Sequence, residues 1–246
     1  MKQKKISEEL TYSEAIEQVM LNNGYFAPLK LIYNEIWKYK DIKKIKGKTP
    51  NYTIQERVQR DERFTRIGLG VYALTDFLNK LPSEPKAETS KDKKDRLHAK
   101  IQGMLIEIGN EKKEVQNTYT NDKKWIFSNK TLGSLATLSE VPPFTFPNII
   151  KETVRYFDVI WLNSRNFPMT IFEVEQSTDF RDALIKFMEL QDFRTTFYCV
   201  SSENKKDKFL RELNKTAFEP LRKRCGFITY DKVESDYKQA LTETYL

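Results

Sequence analysis

Three acidic residues, Asp158, Glu173 and Glu175, stand within two apolar segments that are separated by a short polar stretch. The polar stretch, residues 163–166, reads Asn-Ser-Arg-Asn and predicts a turn, so the two segments are expected to pair as adjacent strands. Because side chains alternate along a strand, Glu173 and Glu175 point to one side, and Asp158 can lie beside them. Converging carboxylates form the oxygen-rich kind of site that binds Mg²⁺, which commonly acts on phosphates. The alternative is an edge hairpin whose glutamates are merely solvated, and the pattern alone does not decide between the two.

The spacing of these acids resembles the catalytic signature of the PD-(D/E)xK nucleases, which is an Asp, a spacer and Glu/Asp-x-Lys on the next strand. Two positions depart from it, because Phe157 stands in place of Pro and Glu175 in place of Lys. Some restriction endonucleases of this superfamily carry Glu at the second position. Residues 132–193, with Leu-Ala-Thr-Leu at 135–138 and Ala-Leu-Ile-Lys-Phe at 183–187, are similar to type II restriction-endonuclease-like proteins.

The resemblance implies a role for each acid. Asp158 and Glu173 would ligate Mg²⁺, and Glu175 would orient or deprotonate the attacking water. An acid on the first core helix often helps to hold the metal in such nucleases, which makes Glu107 a candidate, although a glutamate at the border of an apolar stripe is more often solvated. Gln176 is a second assisting candidate.

The region before the nuclease-like segment has a different organisation. The pattern predicts three helices, the third beginning at Pro50, and then a β-hairpin over residues 63–74 with a glycine-flanked turn. That order describes a winged helix-turn-helix, and residues 10–77 resemble the HARE-HTH family of winged-helix modules. By analogy the third helix would enter the DNA major groove, with Arg66 on the wing. The candidate DNA contacts are Lys48, Asn51, Tyr52, Gln55, Gln59 and Arg66.

Protein docking is the competing interpretation of that surface. Winged helices also serve as docking modules, and Glu56, Asp61 and Glu62 beside the third helix would repel phosphates.

The predicted fold class is α+β, with an N-terminal winged helix-turn-helix followed by an α/β PD-(D/E)xK nuclease core, a mixed sheet flanked by helices. Residues 1–80 form the winged-helix domain, 81–94 a polar linker containing two prolines, and 95–246 the nuclease domain. The nuclease domain is expected to open with a helix over 95–110. A long basic helix is expected over 205–224.

Composition limits the remaining choices. The 246 residues include 42 Lys and Arg against 35 Asp and Glu, and the formal net charge of +7 favours a polyanionic partner. One histidine, His98, and two separated cysteines offer no ligand set for a zinc finger or a histidine-metal nuclease, so carboxylates are expected to bind the metal. His98 itself is expected to form a hydrogen bond at the edge of its helix. No apolar run is as long as a membrane span, so a cytoplasmic location without a membrane partner is the default expectation.

The leading hypothesis is a Mg²⁺-dependent, type II restriction-like endonuclease that cuts double-stranded DNA at a specific site, beside a cognate DNA methyltransferase. The alternative is a catalytically inactive DNA-binding or regulatory protein, which Glu175 in place of Lys leaves open. A third interpretation is an enzyme restricted to modified DNA. A homodimer and a monomer that cuts the two strands in turn are both consistent with the sequence.

Overall fold

The computed structural model describes residues 10–41, 50–177 and 179–243. The chain forms two compact units. The first comprises Met1–Ile67 and Val71–Leu81, and the second comprises Gly68–Gly70 and Pro82–Leu246. No helix in the described ranges is long and apolar enough to cross a membrane.

The first unit is built from short helices and a small antiparallel sheet of order β1-β3-β2. Thr11 starts the first helix with a capping box, in which its hydroxyl and the Glu14 carboxylate each bond the other's backbone N–H. Apolar side chains from all three helices, including Ile16, Ile32 and Ile54, are fully buried in one core. The elements are α1 Tyr12–Asn22, β1 Phe26–Pro28, α2 Leu29–Glu35, α3 Pro50–Arg60, β2 Phe64–Gly68 and β3 Val71–Leu74, with 3₁₀ turns at Ile36–Lys38 and Thr75–Lys80.

The second unit contains a five-stranded mixed sheet of order β10-β9-β8-β7-β4 and a separate two-stranded β5-β6 ribbon. Strands β8, β9 and β10 are parallel neighbours, whereas β7 pairs antiparallel with β8 and with β4. Its helices are α4 Ser90–Glu111, α5 Leu132–Leu135, α6 Pro147–Glu152, α7 Arg181–Met188, α8 Lys206–Leu213 and α9 Tyr230–Glu243. Its strands are β4 Asn117–Tyr119, β5 Ile126–Phe127, β6 Lys130–Thr131, β7 Val159–Leu162, β8 Pro168–Val174, β9 Thr196–Ser201 and β10 Cys225–Thr229. The predicted α+β class and the mixed sheet flanked by helices are confirmed.

The two faces of this sheet are covered differently. On one face Ile160, Ile171 and Phe197 are fully buried in a core that includes Phe187 of α7. On the other face Trp161 packs against α4, where its indole Nε1–H donates to the Leu105 carbonyl at 3.1 Å. This contact requires a glycine at position 109, since a Cβ there would lie 2.4 Å from Trp161 Nε1. Because successive side chains of a strand point to opposite faces of the sheet, α4 and α7 pack on opposite sides of it.

The predicted linker is wrong over residues 90–94, because α4 begins at Ser90 rather than at residue 95. Thr89 is its N-cap, and its hydroxyl accepts a hydrogen bond from the Asp92 N–H while the Asp92 carboxylate accepts one from the Thr89 N–H. This capping box stabilises the start of a helix in a segment whose composition alone resembles a linker.

The predicted helix over 205–224 is also wrong. Helix α8 ends at Leu213, and a 3₁₀ segment follows at Thr216–Leu221. Pro220 lies inside that segment, where it supplies no N–H for a helical hydrogen bond. Strand β4 and helix α9 were not predicted at all.

Candidate active site

The β7–β8 hairpin brings the predicted acids together. Ile160 pairs with Ile171 and Val159 pairs with Phe172, and continuing this antiparallel register by one residue places Asp158 opposite Glu173. The predicted turn over residues 163–166 is confirmed, because the Asn166 N–H donates to the Asn163 carbonyl at 2.9 Å. The hairpin therefore holds the acids at one end of the sheet.

Asp158 and Glu173 are held by different kinds of contact. Asp158 Oδ2 accepts a hydrogen bond of 2.6 Å from the Val174 backbone N–H. Glu173 is only 4% exposed, and its Oε2 forms an ion pair with Lys186. The other oxygen, Oε1, is buried and has no hydrogen-bond partner among the described residues. Burial first, and then the negative charge of Asp158, raises the pKa of Glu173 well above its ordinary value.

Glu175 belongs to the same charge cluster. Burial and the neighbouring Asp158 charge raise the pKa of its carboxyl group. Its backbone is fixed on both sides, because its N–H donates to the Val200 carbonyl at 2.8 Å and its carbonyl accepts from the Tyr230 hydroxyl at 2.8 Å. The acidic cluster, defined as Asp158, Glu173 and Glu175, thus concentrates like charge on a rigid strand end.

Lys186 contributes a positive charge to this site, and sequence reasoning did not assign it a role. It lies on α7, whose Ala183, Leu184 and Phe187 face the core, and its ammonium group reaches the Glu173 carboxylate with 29% of the side chain still exposed. The available signal was a lysine at the margin of an apolar helix face, close after a motif that lacks its usual Lys at Glu175. The structure therefore places a positive charge in the cluster from a different element.

His98 and Asp122 also join the site, and neither was predicted to do so. His98 Nε2 of α4 lies 3.4 Å from Asp158 Oδ2 and 3.5 Å from Asp122 Oδ2. Burial lowers the pKa of His98, but hydrogen bonds and charge from Asp122 and Asp158 outweigh it and raise the pKa from 6.5 to about 10. The expectation of a simple hydrogen bond at the helix edge missed this, because nothing in the sequence indicates that residues 98, 122 and 158 meet.

Glu107 does not lie in the acidic cluster, so its predicted metal-holding role is not supported. It stands nine residues after His98 on α4, a distance of ~13 Å along a helix axis. Its carboxylate Oε2 instead accepts hydrogen bonds from the Tyr237 hydroxyl at 2.6 Å and from the Leu69 N–H at 2.8 Å. Lys130 Nζ lies 3.5 Å from the other oxygen, Oε1.

Gln176 is also turned to other partners. Its side-chain amide donates to the Lys94 carbonyl of α4, and its backbone carbonyl accepts from Lys205 Nζ at 2.7 Å. Neither contact involves a carboxylate of the acidic cluster.

The candidate DNA contacts of the first unit differ in exposure. Asn51, Tyr52 and Gln59 on α3 are exposed, with Tyr52 70% exposed, whereas Gln55 and Arg66 are half-buried. The sixth candidate, Lys48, lies outside the described residues.

The acids beside α3 carry partners that offset their charge. Arg60 forms an ion pair of 2.7 Å with Glu56, and Arg63 forms one of 2.7 Å with Asp61. The hydrogen bond from Arg63 holds the pKa of Asp61 well below its usual range. The objection that Glu56 and Asp61 repel phosphates is therefore weaker than the sequence suggested.

Comparison with known proteins assigns the second unit to a protein family. The model of one protein family, described as the type II restriction enzyme NmeDI C-terminal domain, matches residues 80–244. Neither a curated protein nor a solved structure matches the chain. The matched range includes the whole acidic cluster together with His98, Asp122 and Lys186.

Proposed function

Since this chain belongs to the family of the type II restriction enzyme NmeDI C-terminal domain, we propose that it is a Mg²⁺-dependent endonuclease that hydrolyses phosphodiester bonds of double-stranded DNA at a specific site. The observation that carries the proposal is the meeting of Asp158, Glu173 and Glu175 beside Lys186 at one end of the sheet.

The residues fit a hard divalent cation. Asp158 and Glu173 offer carboxylate oxygens, which Mg²⁺ prefers, and Glu173 Oε1 is buried without a hydrogen-bond partner among the described residues. Burial and mutual repulsion raise the pKa of Glu173 and Glu175, so a positive ion would relieve an existing energetic cost. When bound, Mg²⁺ would stabilise the charge that develops on the phosphate and lower the pKa of an attacking water.

Glu175 is the group proposed to take the water's proton. A carboxylate whose pKa is raised is a stronger base than an ordinary carboxylate. Its backbone hydrogen bonds to Val200 and Tyr230 restrict its position. A fixed base needs little reorganisation during the reaction.

Lys186 is proposed to supply the positive charge that the usual motif carries at position 175. Its ammonium group already lies against Glu173, and its remaining exposure leaves a path to a phosphate. A fixed cation at a transferring phosphoryl group stabilises the negatively charged transition state. This bears on the inactive alternative, because the missing strand lysine has a candidate substitute on α7.

The first unit is proposed to bind DNA as a winged helix. The exposed Asn51, Tyr52 and Gln59 lie on one helix, where amide side chains can read adenine edges in the major groove. The net charge of +7 supports attraction to phosphates.

The decisive experiment is cleavage of methylated and unmethylated plasmid DNA by the wild type and by Asp158→Asn and Glu173→Gln. The wild type should give discrete fragments with Mg²⁺ and bind without cutting with Ca²⁺, while each variant loses at least ~10²-fold in rate and still shifts DNA on a gel. The matched control is Glu152→Gln, a substitution of an exposed acid on α6 that should leave cleavage unchanged. A different result on the two plasmids would indicate pairing with a methyltransferase or a requirement for modified DNA.

Full activity of Asp158→Asn would refute the proposed site. Retained binding with intact DNA under every condition would support the alternative of a regulatory DNA-binding protein.

A further inference from the structure

Two exposed basic side chains, Lys123 and Arg155, flank Asp158 within the second unit. Arg155 precedes Asp158 by three residues, which span at most about 11 Å of chain. Lys123 directly follows Asp122, whose Oδ2 lies 3.5 Å from His98 Nε2, and Asp158 Oδ2 lies 3.4 Å from the same nitrogen. The basic rim, defined as Lys123 and Arg155, therefore borders the acidic cluster.

The backbone of the basic rim is fixed by hydrogen bonds. The Arg155 carbonyl accepts from the hydroxyl of the buried Tyr119 at 2.8 Å. The Lys123 N–H donates to the Asn121 carbonyl at 2.9 Å, and the Lys123 carbonyl accepts from the Gly133 N–H at 2.9 Å. A side chain on a fixed backbone loses less conformational freedom when a ligand binds to it.

Each cation of the basic rim faces an aromatic ring. The Arg155 guanidinium carbon lies 4.6 Å from the centroid of the Tyr156 ring, and one terminal nitrogen donates to the Tyr156 hydroxyl. Lys123 Nζ lies 5.8 Å from the centroid of the Tyr119 ring. A ring face attracts a cation and so restricts where it lies. Stacking occupies the flat face of the guanidinium, so its other N–H groups can still donate to an anion.

Neither cation of the basic rim is neutralised by an acid. Across the part of the chain that the structure describes, neither Lys123 nor Arg155 forms an ion pair with a carboxylate. Other exposed lysines of the second unit differ, because Lys206, Lys215 and Lys232 each pair with an acid three or four residues away. The charge of the basic rim is therefore available to an anion from outside.

We propose that Lys123 and Arg155 bind backbone phosphates of the substrate DNA next to the phosphate that is cleaved, without reading the base sequence. Phosphate oxygens are the usual partners of Arg and Lys on DNA, and such contacts position a duplex in the same way whatever its sequence. The inference rests on the proposed function, which makes DNA the substrate of the acidic cluster.

The first test is the salt dependence of DNA binding by the full chain in Ca²⁺, measured by the fluorescence anisotropy of a labelled random-sequence duplex. Each phosphate contact contributes ~0.9 to the slope of log affinity against log salt concentration. Arg155→Gln and Lys123→Gln should each reduce the slope by ~0.9, and Arg155→Lys should restore it. The matched control is Lys215→Gln, which changes an exposed cation already paired with Glu212 and should leave the slope unchanged.

The second test is cleavage of plasmid DNA in Mg²⁺ by the same variants. Arg155→Gln and Lys123→Gln should need a higher protein concentration than the wild type and still give fragments of the same sizes, because phosphate contacts carry no sequence information. Fragments of different sizes would overturn the claim that the basic rim does not read sequence.

The basic rim is refuted if Arg155→Gln and Lys123→Gln, shown to be folded by circular dichroism, have the slope of the wild type. Cleavage by the wild type together with unchanged slopes would refute the basic rim alone. Reduced slopes with plasmid DNA intact under every condition would refute the nuclease and leave the basic rim as a DNA contact.

Discussion

Among the described residues of the second unit, two buried glutamates each pair with a lysine, and the two pairs differ in their surroundings. In the closed pair, Glu107 and Lys130, both side chains are fully buried, and Glu107 Oε2 accepts two hydrogen bonds, one of them from Tyr237. In the open pair, Glu173 and Lys186, the lysine is 29% exposed and other carboxylates adjoin the glutamate.

The comparison shows which feature indicates function. Each glutamate has an Oε1 without a hydrogen bond among the described residues, so that feature does not separate them. The sign of the neighbouring charge separates the two glutamates. Glu107 Oε1 lies 3.5 Å from the positively charged Lys130 ammonium, whereas the negative charges of Asp158 and Glu175 act on Glu173. Burial of an ion pair by itself is therefore compatible with a purely structural role, whereas like charges gathered at one strand end support the proposed site for a metal and a phosphate.

The largest expected effect is on stability, through the closed pair. Lys130→Met removes the cation beside a fully buried carboxyl group and should lower the free energy of unfolding by about 3–5 kcal/mol. Lys186→Met should cost only about 1 kcal/mol, because the Lys186 side chain is partly exposed and its ion pair is partly screened by solvent. Urea denaturation of the two variants without metal measures both values. Equal losses would contradict the distinction between the two pairs.

The next largest effect is on activity, for which the open pair is expected to matter more than the closed pair. Lys186→Met should reduce the rate of DNA cleavage by ~10²-fold while DNA binding is retained, because the cation proposed to act on the phosphate is lost. Single-turnover cleavage at saturating Mg²⁺ gives the rate. Lys208→Met, which changes an exposed lysine on α8, is the control and should cleave normally. A Lys186→Met enzyme as fast as this control would remove Lys186 from the mechanism.

The smallest expected effect is a change of the free energy of unfolding with pH, caused by Glu173 of the open pair. Because the folded-state pKa of Glu173 is raised, the native state binds more protons than the unfolded state, and stability falls as pH rises from about 4.5 through the folded pKa. The slope from one carboxyl is at most about 1.4 kcal/mol per pH unit. Urea denaturation in a chelator across this range should show a decline in the wild type and a flatter curve in Glu173→Gln. Parallel curves would show that Glu173 is ionised in the metal-free protein.

The local part of the site could be predicted from the sequence. The turn at residues 163–166 and the alternation around Glu173 and Glu175 are set by neighbours along the chain, so the hairpin and its acids follow from the period of a strand. The mixed sheet with helices followed from the same kind of pattern. The start of α4 could also have been found, since the Thr89–Asp92 capping box is written in four consecutive residues.

Tertiary packing decided which other side chains reach those acids. Residues 98, 122 and 186 come from a helix, a loop and another helix, and they meet Asp158 or Glu173 only because α4 and α7 cover opposite faces of the same sheet. The same packing sends Glu107 to Lys130 and Tyr237 instead, although its residue type and its helix matched the expectation. A sequence specifies which face of a helix is apolar, but the position of the helix along the sheet depends on contacts such as that of Gly109 with Trp161, which join residues far apart in the chain.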